Sequence, residues 1–307
     1  MTDDKNKFEK EVGERIDELV RMAEASDEEK LKIKDKSGHY PKPDGYWKTA
    51  VSQSAPYKIF IRGYPLYDII GNLTFTEVFF LVLMGELPTK EQTRILDTLL
   101  CCIVDHQMVS ANIPAARYTA SGNPQFIPAL ASGILTIGAN TVSPALSAEL
   151  IEDAYALMKK ESLSFDETAQ RIIADYRGKK KRIPGFGHPT HREWDPRTVK
   201  LFKVAREMGL LGEKTLLYFA IHEEFSKTIG KGRNIPINID GAMACVEAEL
   251  NWGGPLISLA IATMSFLPGM MAQIIEELEN PVTLRYIHDC DYVGVAPRAL
   301  PNKDEME

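Results

Sequence analysis

The stretch RIPGFGHPTHREWDPR, Arg182 to Arg197, organises the reading of this chain. Pro184 and Gly185 forbid a regular helix there. Gly187 lets the backbone come close to a ligand just before His188. Arg192 and Arg197 follow, and apolar helical periodicity resumes only after them, in LFKVAREMGLL. A donor-rich loop that ends at a helix start is a natural anion site, although a solvated basic turn has the same composition.

Working outward, helical patterns dominate. Phe8, Val12, Ile16, Leu19 and Val20 recur at helical spacing in a highly charged N-terminal segment, residues 1–36. Residues 37–56 carry Pro41, Pro43 and Pro56 and read as an irregular arm. YKIFIRGYPL then reads as a short strand or ribbon. Thr74 with Glu77 three residues on is a capping box for FTEVFFLVLMG, which stops at Gly85. Further helices are predicted over KEQTRILDTLLCCIVDHQM, PQFIPALASGILTIGAN, a segment opening at Ser143-Pro144, FDETAQRIIADY, 198–211, 213–229 and 241–250. GGPLISLAIATMSFLPGMMAQIIEEL reads as two helices, or one broken near Pro268. Strands are few, so the fold class is mainly α.

The net charge of −7 argues against a general nucleic-acid role, so any anion site must be local. Cys101, Cys102, Cys245 and Cys290 have neither metal-ligand spacing nor the look of a disulfide framework, which suits a reducing, cytoplasmic compartment. The charged N-terminus does not resemble a signal peptide. No stretch is expected to span a bilayer, and no membrane partner is expected.

Ordered along the chain are IRGYPLYDIIGN (61–72), TEVFFLVLMGELPT (76–89), DH (105–106), SGILTIG (132–138), IPGFGH (183–188), DPR (195–197) and NID (238–240). In this order and spacing the chain resembles the citrate synthase superfamily, and most of all citryl-CoA lyases and the citrate-synthase-homology domain of ATP-citrate lyase. The resemblance covers about Tyr57 to Gly294. It implies a dimeric, helical, citrate synthase-like fold. A small domain, residues 145–250, would close on a large one made of 37–144 and 251–307. The substrates implied are acyl-CoA and a 2-oxo acid, with coenzyme A as carrier and no metal.

Joining or splitting such a pair requires a base, a donor to the enol oxygen, a donor to the carbonyl and a carboxylate clamp. By resemblance Asp240 is the base, and its apolar flank, Ile235, Ile237 and Ile239, would raise its pKa. Asp240 could equally be a helix cap. His188 would polarise the carbonyl, His106 would bind the oxo acid, and Arg197 would clamp a carboxylate. Arg192 would contact CoA phosphate, and the backbone of Ile183, Pro184, Gly185, Phe186 and Gly187 would line the adenine pocket. His191 has no counterpart.

Two departures stand out. Where synthases carry GPLHGG, with a histidine that stabilises the enol, this chain reads ANTVSPA, with Val142 or its neighbour in the histidine's place. Losing such a donor typically costs about 3 kcal/mol. Asn140, Thr141 or the amides at Ser143-Pro144 are the expected substitutes. Where the family has the arginine of an SRxxG motif, this chain has Phe266 in SFLPG. A buried carboxylate without its cation costs on the order of several kcal/mol, so the condensed acid is not expected to be citrate. Arg285 of a partner subunit is the candidate rescue. The expectation is a citryl-CoA lyase-like enzyme that cleaves or forms a 3-hydroxyacyl-CoA. The alternatives are a citrate/2-methylcitrate synthase-type acyltransferase, an acyl-CoA sensor without turnover, and a scaffold subunit.

Overall fold

The structure, a computed structural model, describes residues 2–24, 48–55, 57–138, 141, 144–252, 254–283, 285–286 and 290–300. Most of the expected arm at 37–56, and the end of the expected N-terminal helix, lie outside them. The chain divides into two compact units, residues 1–89 and 90–307.

In the first unit, α1 (Thr2–Glu24) carries Val12, Ile16, Leu19 and Met22 exposed. Strands β1 (Ser52–Ala55), β2 (Lys58–Ile61) and β3 (Tyr64–Pro65) form an antiparallel meander in that order. Ile61 pairs with Tyr64 across Arg62 and Gly63, both at positive φ (49° and 89°). Such a two-residue turn matches the strand twist. The turn also aims Arg62, which donates from Nε and Nη2 to the carbonyl of Val82 at 3.1 and 2.8 Å. After a single turn, α2 (Leu66–Ile69), comes α3 (Phe75–Met84), with the expected capping box at Thr74 and Glu77 and a left-handed cap at Gly85.

The second unit is helical: α4 (Lys90–Cys101), α5 (Asn112–Gly122), α6 (Phe126–Leu135), α7 (Pro144–Glu161), α8 (Phe165–Gly178), α9 (Pro196–Glu207), α10 (Glu213–Thr228), α11 (Ile239–Glu249) and α12 (Pro255–Glu279). Helix α12 is the spine and packs on α4, α5, α6 and α7. It is one 25-residue helix with Pro268 inside, so the expected break is absent. A proline in a helix interior costs about 3 kcal/mol. Burial of Ile261, Phe266, Met270 and Ile274 on the four neighbours offsets that cost. By length and composition this helix would suffice to cross a membrane, which corrects the expectation that no stretch would. Its buried face makes it the core helix of this unit.

Gly269, next to Pro268, lets α12 approach the segment before His106. A Cβ there would lie 2.0 Å from the Val104 carbonyl oxygen and 2.8 Å from Asp105 Cβ. Gly269→Ala is therefore expected to lower stability by about 1–3 kcal/mol, the usual cost of overpacking. A denaturant midpoint measurement checks this. An unchanged midpoint would show that the approach is not tight.

Candidate active site

The loop of residues 183–188 and the strand-like segment before α11 are joined backbone to backbone. Phe186 and Ile237 form an antiparallel bridge. Gly187 N–H donates to Pro236 O at 2.8 Å, and Asn238 N–H to Gly185 O at 2.9 Å. Gly185 has φ +83°, and a Cβ there would lie 2.0 Å from Tyr218 Oη. A Cβ on Gly241 would lie 2.1 Å from the same oxygen. Both glycines are thus needed for the loop to touch α11. The Phe186 ring points inward and stacks on Tyr218 and Phe225 at 5.2 and 5.0 Å.

Asn238, not Asp240, caps α11: its side chain accepts from Gly241 N at 3.1 Å and donates to Gly187 O at 3.1 Å. Asp240 lies in the first turn, flanked by buried Ile237 and Ile239. It lines a cleft of about 760 Å³ together with His106, His188, Arg197 and Phe266. The loop residues Ile183, Pro184, Gly185, Phe186 and Gly187 and residue Thr141 line the same cleft, as do Lys181 and Arg182. These last two were not singled out in the sequence, although the run KKKR before IPGFGH signals a basic edge.

The chemistry of His188 follows from its contacts. Its Nδ1 accepts the backbone N–H groups of Thr190 and His191 at 3.1 and 3.0 Å. An acceptor Nδ1 puts the proton on Nε2. That nitrogen lies 3.2 Å from His106 Nε2. Burial, and then the Arg197 charge, push the His188 pKa down to about 4. The same two causes lower that of His106. Near pH 7 the pair is neutral, and the His188 Nε2–H donates to His106 Nε2 at the edge of the cleft.

Arg197 is held by Asp195, the N-cap of α9. Its Nε and Nη2 reach Asp195 Oδ1 and Oδ2 at 3.0 and 2.7 Å, and its backbone N–H donates to Oδ1 at 3.0 Å. Burial alone would raise the Asp195 pKa, but the hydrogen bonds and charge of Arg197 outweigh it and hold the group below the ordinary carboxylate value. The Asp-Pro pair at a helix start was the available signal for this cap.

Other expected residues lie elsewhere. Arg192 is exposed and lines an adjoining hollow with His191, Arg233 and Asn234. Arg285 does not line the cleft of its own chain; its Nε and Nη2 pair with the two oxygens of Glu277 at 2.7 Å each. Asn140 and Ser143 lie outside the described residues. His106, His188 and His191 have ring nitrogens within 4.8 Å of one another. A metal needs a lone pair on each ligand nitrogen, whereas the His188 contacts put a proton on Nε2.

Residues 89–287 match the family model for the citrate synthase C-terminal domain. The chain belongs to the citrate synthase family. Among solved structures it is similar to citryl-CoA lyase from Hydrogenobacter thermophilus, with 30% identity, a TM-score of 0.73, and coverage of 85% of this chain and 98% of that one. It shares its fold with ATP citrate lyase from Methanosaeta concilii, at 16% identity and a TM-score of 0.69, over 87% of this chain and 44% of that one. Among curated proteins it is 26% identical to peroxisomal citrate synthase 1 of Arabidopsis thaliana over 161 residues, half of this chain. The chain spans only 32% to 58% of the length of the first curated relatives it matches.

The lowered His188 pKa gives a pH prediction. A histidine whose folded pKa lies below its ordinary value contributes stability that is complete above about pH 6.5 and is lost as pH falls toward about 4. Titration of the histidine Cε1 protons by NMR should show His188 protonating near the bottom of that window. A midpoint near 6.5 would refute the contact-imposed neutral form.

Proposed function

We infer that this chain is a CoA-dependent carbon–carbon lyase or synthase that interconverts a 3-hydroxyacyl-CoA with an acyl-CoA and a 2-oxo acid. The observation that carries this is one cleft lined by a carboxylate (Asp240), a neutral imidazole offering its N–H (His188), a second imidazole (His106) and a guanidinium (Arg197). In this reading Asp240 removes or returns the proton on the carbon next to the thioester. His188 Nε2–H exchanges its acceptor, His106 Nε2, for the carbonyl oxygen of the oxo acid, with His106 beside it. Arg197 holds the adjacent carboxylate, already oriented by Asp195. The Ile183–Gly187 loop, with Lys181 and Arg182 at its start, takes the CoA moiety, and Arg192 its phosphate. Residues 145–250 act as the closing domain in a homodimer; the exposed Ile127 and Leu135 of α6 are apolar surface that a second copy could cover.

Phe266 supports a carbonyl substrate without a second carboxylate. It borders the cleft at only 1% exposure, so this position supplies no cation where one would be needed for the second carboxylate of oxaloacetate. Recruiting Arg285 from a partner would disrupt its bidentate pair with Glu277.

The reaction is tested by exchange of acyl-CoA α-protons with deuterated water, using short acyl-CoAs with and without a panel of 2-oxo acids. Asp240→Asn should slow exchange by about 10²-fold or more. Exchange undiminished in that variant, or binding of CoA with no exchange and no cleavage in the wild type, would favour an acyl-CoA sensor. Within the panel, oxo acids with apolar tails should outperform oxaloacetate, and Phe266→Arg should reverse that order. Tight oxaloacetate or citrate binding, lost on Arg285→Ala, would defeat the apolar-tail reading.

A further inference from the structure

We propose that the side-chain hydroxyl of Ser110 is the donor that holds the enol oxygen of the acyl-CoA. This rests on the proposed reaction. Removing a proton next to a thioester moves negative charge onto its oxygen, and a preorganised donor there lowers the barrier. The histidine that does this in synthases is replaced here by Val142, which has no side-chain donor, or by its neighbour Thr141 or Ser143, whose hydroxyls are the alternative to Ser110.

Several polar groups of the cleft are already committed. Asn238 has its Oδ1 on Gly241 N and its Nδ2 on Gly187 O. His188 has its Nδ1 on two backbone amides. The backbone amide of Thr141 donates to Gly138 O at 2.9 Å. Ser110 differs. It is 9% exposed, and its Oγ is buried with no hydrogen-bond partner. Of the described residues that carry a buried, unpartnered side-chain oxygen, Ser110 alone lines the cleft. A buried hydroxyl left unsatisfied costs about 1–3 kcal/mol. Ligand oxygen placed against it would remove that cost, so the group is poised for a bound acceptor.

Position agrees with this role. Ser110 follows His106 by four residues, at the end of the single 3-10 turn Gln107–Val109, with extended backbone (φ −100°, ψ 137°). His106 and Ser110 thus reach one cleft from one short segment, which can set the acyl donor and the carbonyl acceptor side by side. Proton and electron flow balance. Asp240 takes the α-proton, the C–H pair becomes the new C=C bond, and the carbonyl π pair moves to oxygen. Ser110 donates a hydrogen bond to that oxygen and keeps its own proton. In the cleavage direction the C–C bonding pair supplies the enolate, and Asp240 returns the proton to carbon.

The test compares binding of CoA and of carboxymethyl-CoA, whose carboxylate puts anionic oxygen next to the site of the enolate oxygen, one carbon further from sulfur. The wild type should prefer carboxymethyl-CoA. Ser110→Ala should weaken carboxymethyl-CoA tenfold or more and leave CoA within twofold, with Ser110→Thr restoring most of the loss. Thermal midpoints confirm that each variant is folded, and Ser110→Cys, with a weaker donor of similar size, should fall between. Equal weakening of both ligands, no weakening of either, or a wild type with no preference would overturn the assignment. Proton exchange measured in parallel separates the two ideas: a retained, Ser110-dependent preference without exchange would sink the proposed reaction and keep the binding role.

Discussion

Two backbone hydrogen bonds between residues 185–187 and 236–238 hold the site together, and they form only because Gly185 and Gly241 have no side chains. The Tyr218 hydroxyl lies against both glycines, so α10 sets how closely the histidine loop approaches α11. Phe186 turns its ring into the same packing and fixes the loop from behind. His188 and Asp240 then follow from chain geometry, each two residues or fewer from a stapled position.

The electrostatics of the cleft follow from a second, separate pairing. Arg197 would be an isolated partly buried cation without Asp195, and Asp195 a buried anion without Arg197. Burial is the larger cause of the lowered His188 and His106 pKa values, and the charge of Arg197, only partly offset by Asp195, adds to it. A neutral imidazole with its proton fixed on Nε2 is a directional donor at neutral pH. The backbone amides of Thr190 and His191 do the fixing, and a protonated ring would place a second N–H against them.

Much of this was legible beforehand, for local reasons. The capping box at Thr74–Glu77 is written in four residues, and it forms. The glycines of IPGFGH signalled a close approach. What they approach was hidden, because Tyr218 and Gly241 lie over thirty residues away and only the fold brings them there. The single helix across Pro268 was misread because the local cost of proline is visible in sequence and the burial that offsets it is not. The sequence offered Asp240 as a cap, and Asn238, an equally good capping residue two positions earlier, takes that place. Spacing to Gly241 N decides between them, and Asp240 lines the cleft from the first turn of α11. Ser110 gave no sequence signal, since an unpartnered hydroxyl is a property of surroundings.

Helix α12 explains how substrate choice can be separated from proton chemistry. Within SFLPG, Phe266 faces the cleft while Gly269, three residues on, seats the backbone of Val104 and Asp105 next to His106. One turn thus carries both a side chain that borders the cleft and a contact with the segment before His106. Replacing arginine by phenylalanine alters the first and leaves the second intact. Asp240 and His188 sit on the stapled segments instead, outside this turn. In the proposed reaction the tail of the oxo acid can therefore change without any shift in the groups that move protons, because different elements hold them.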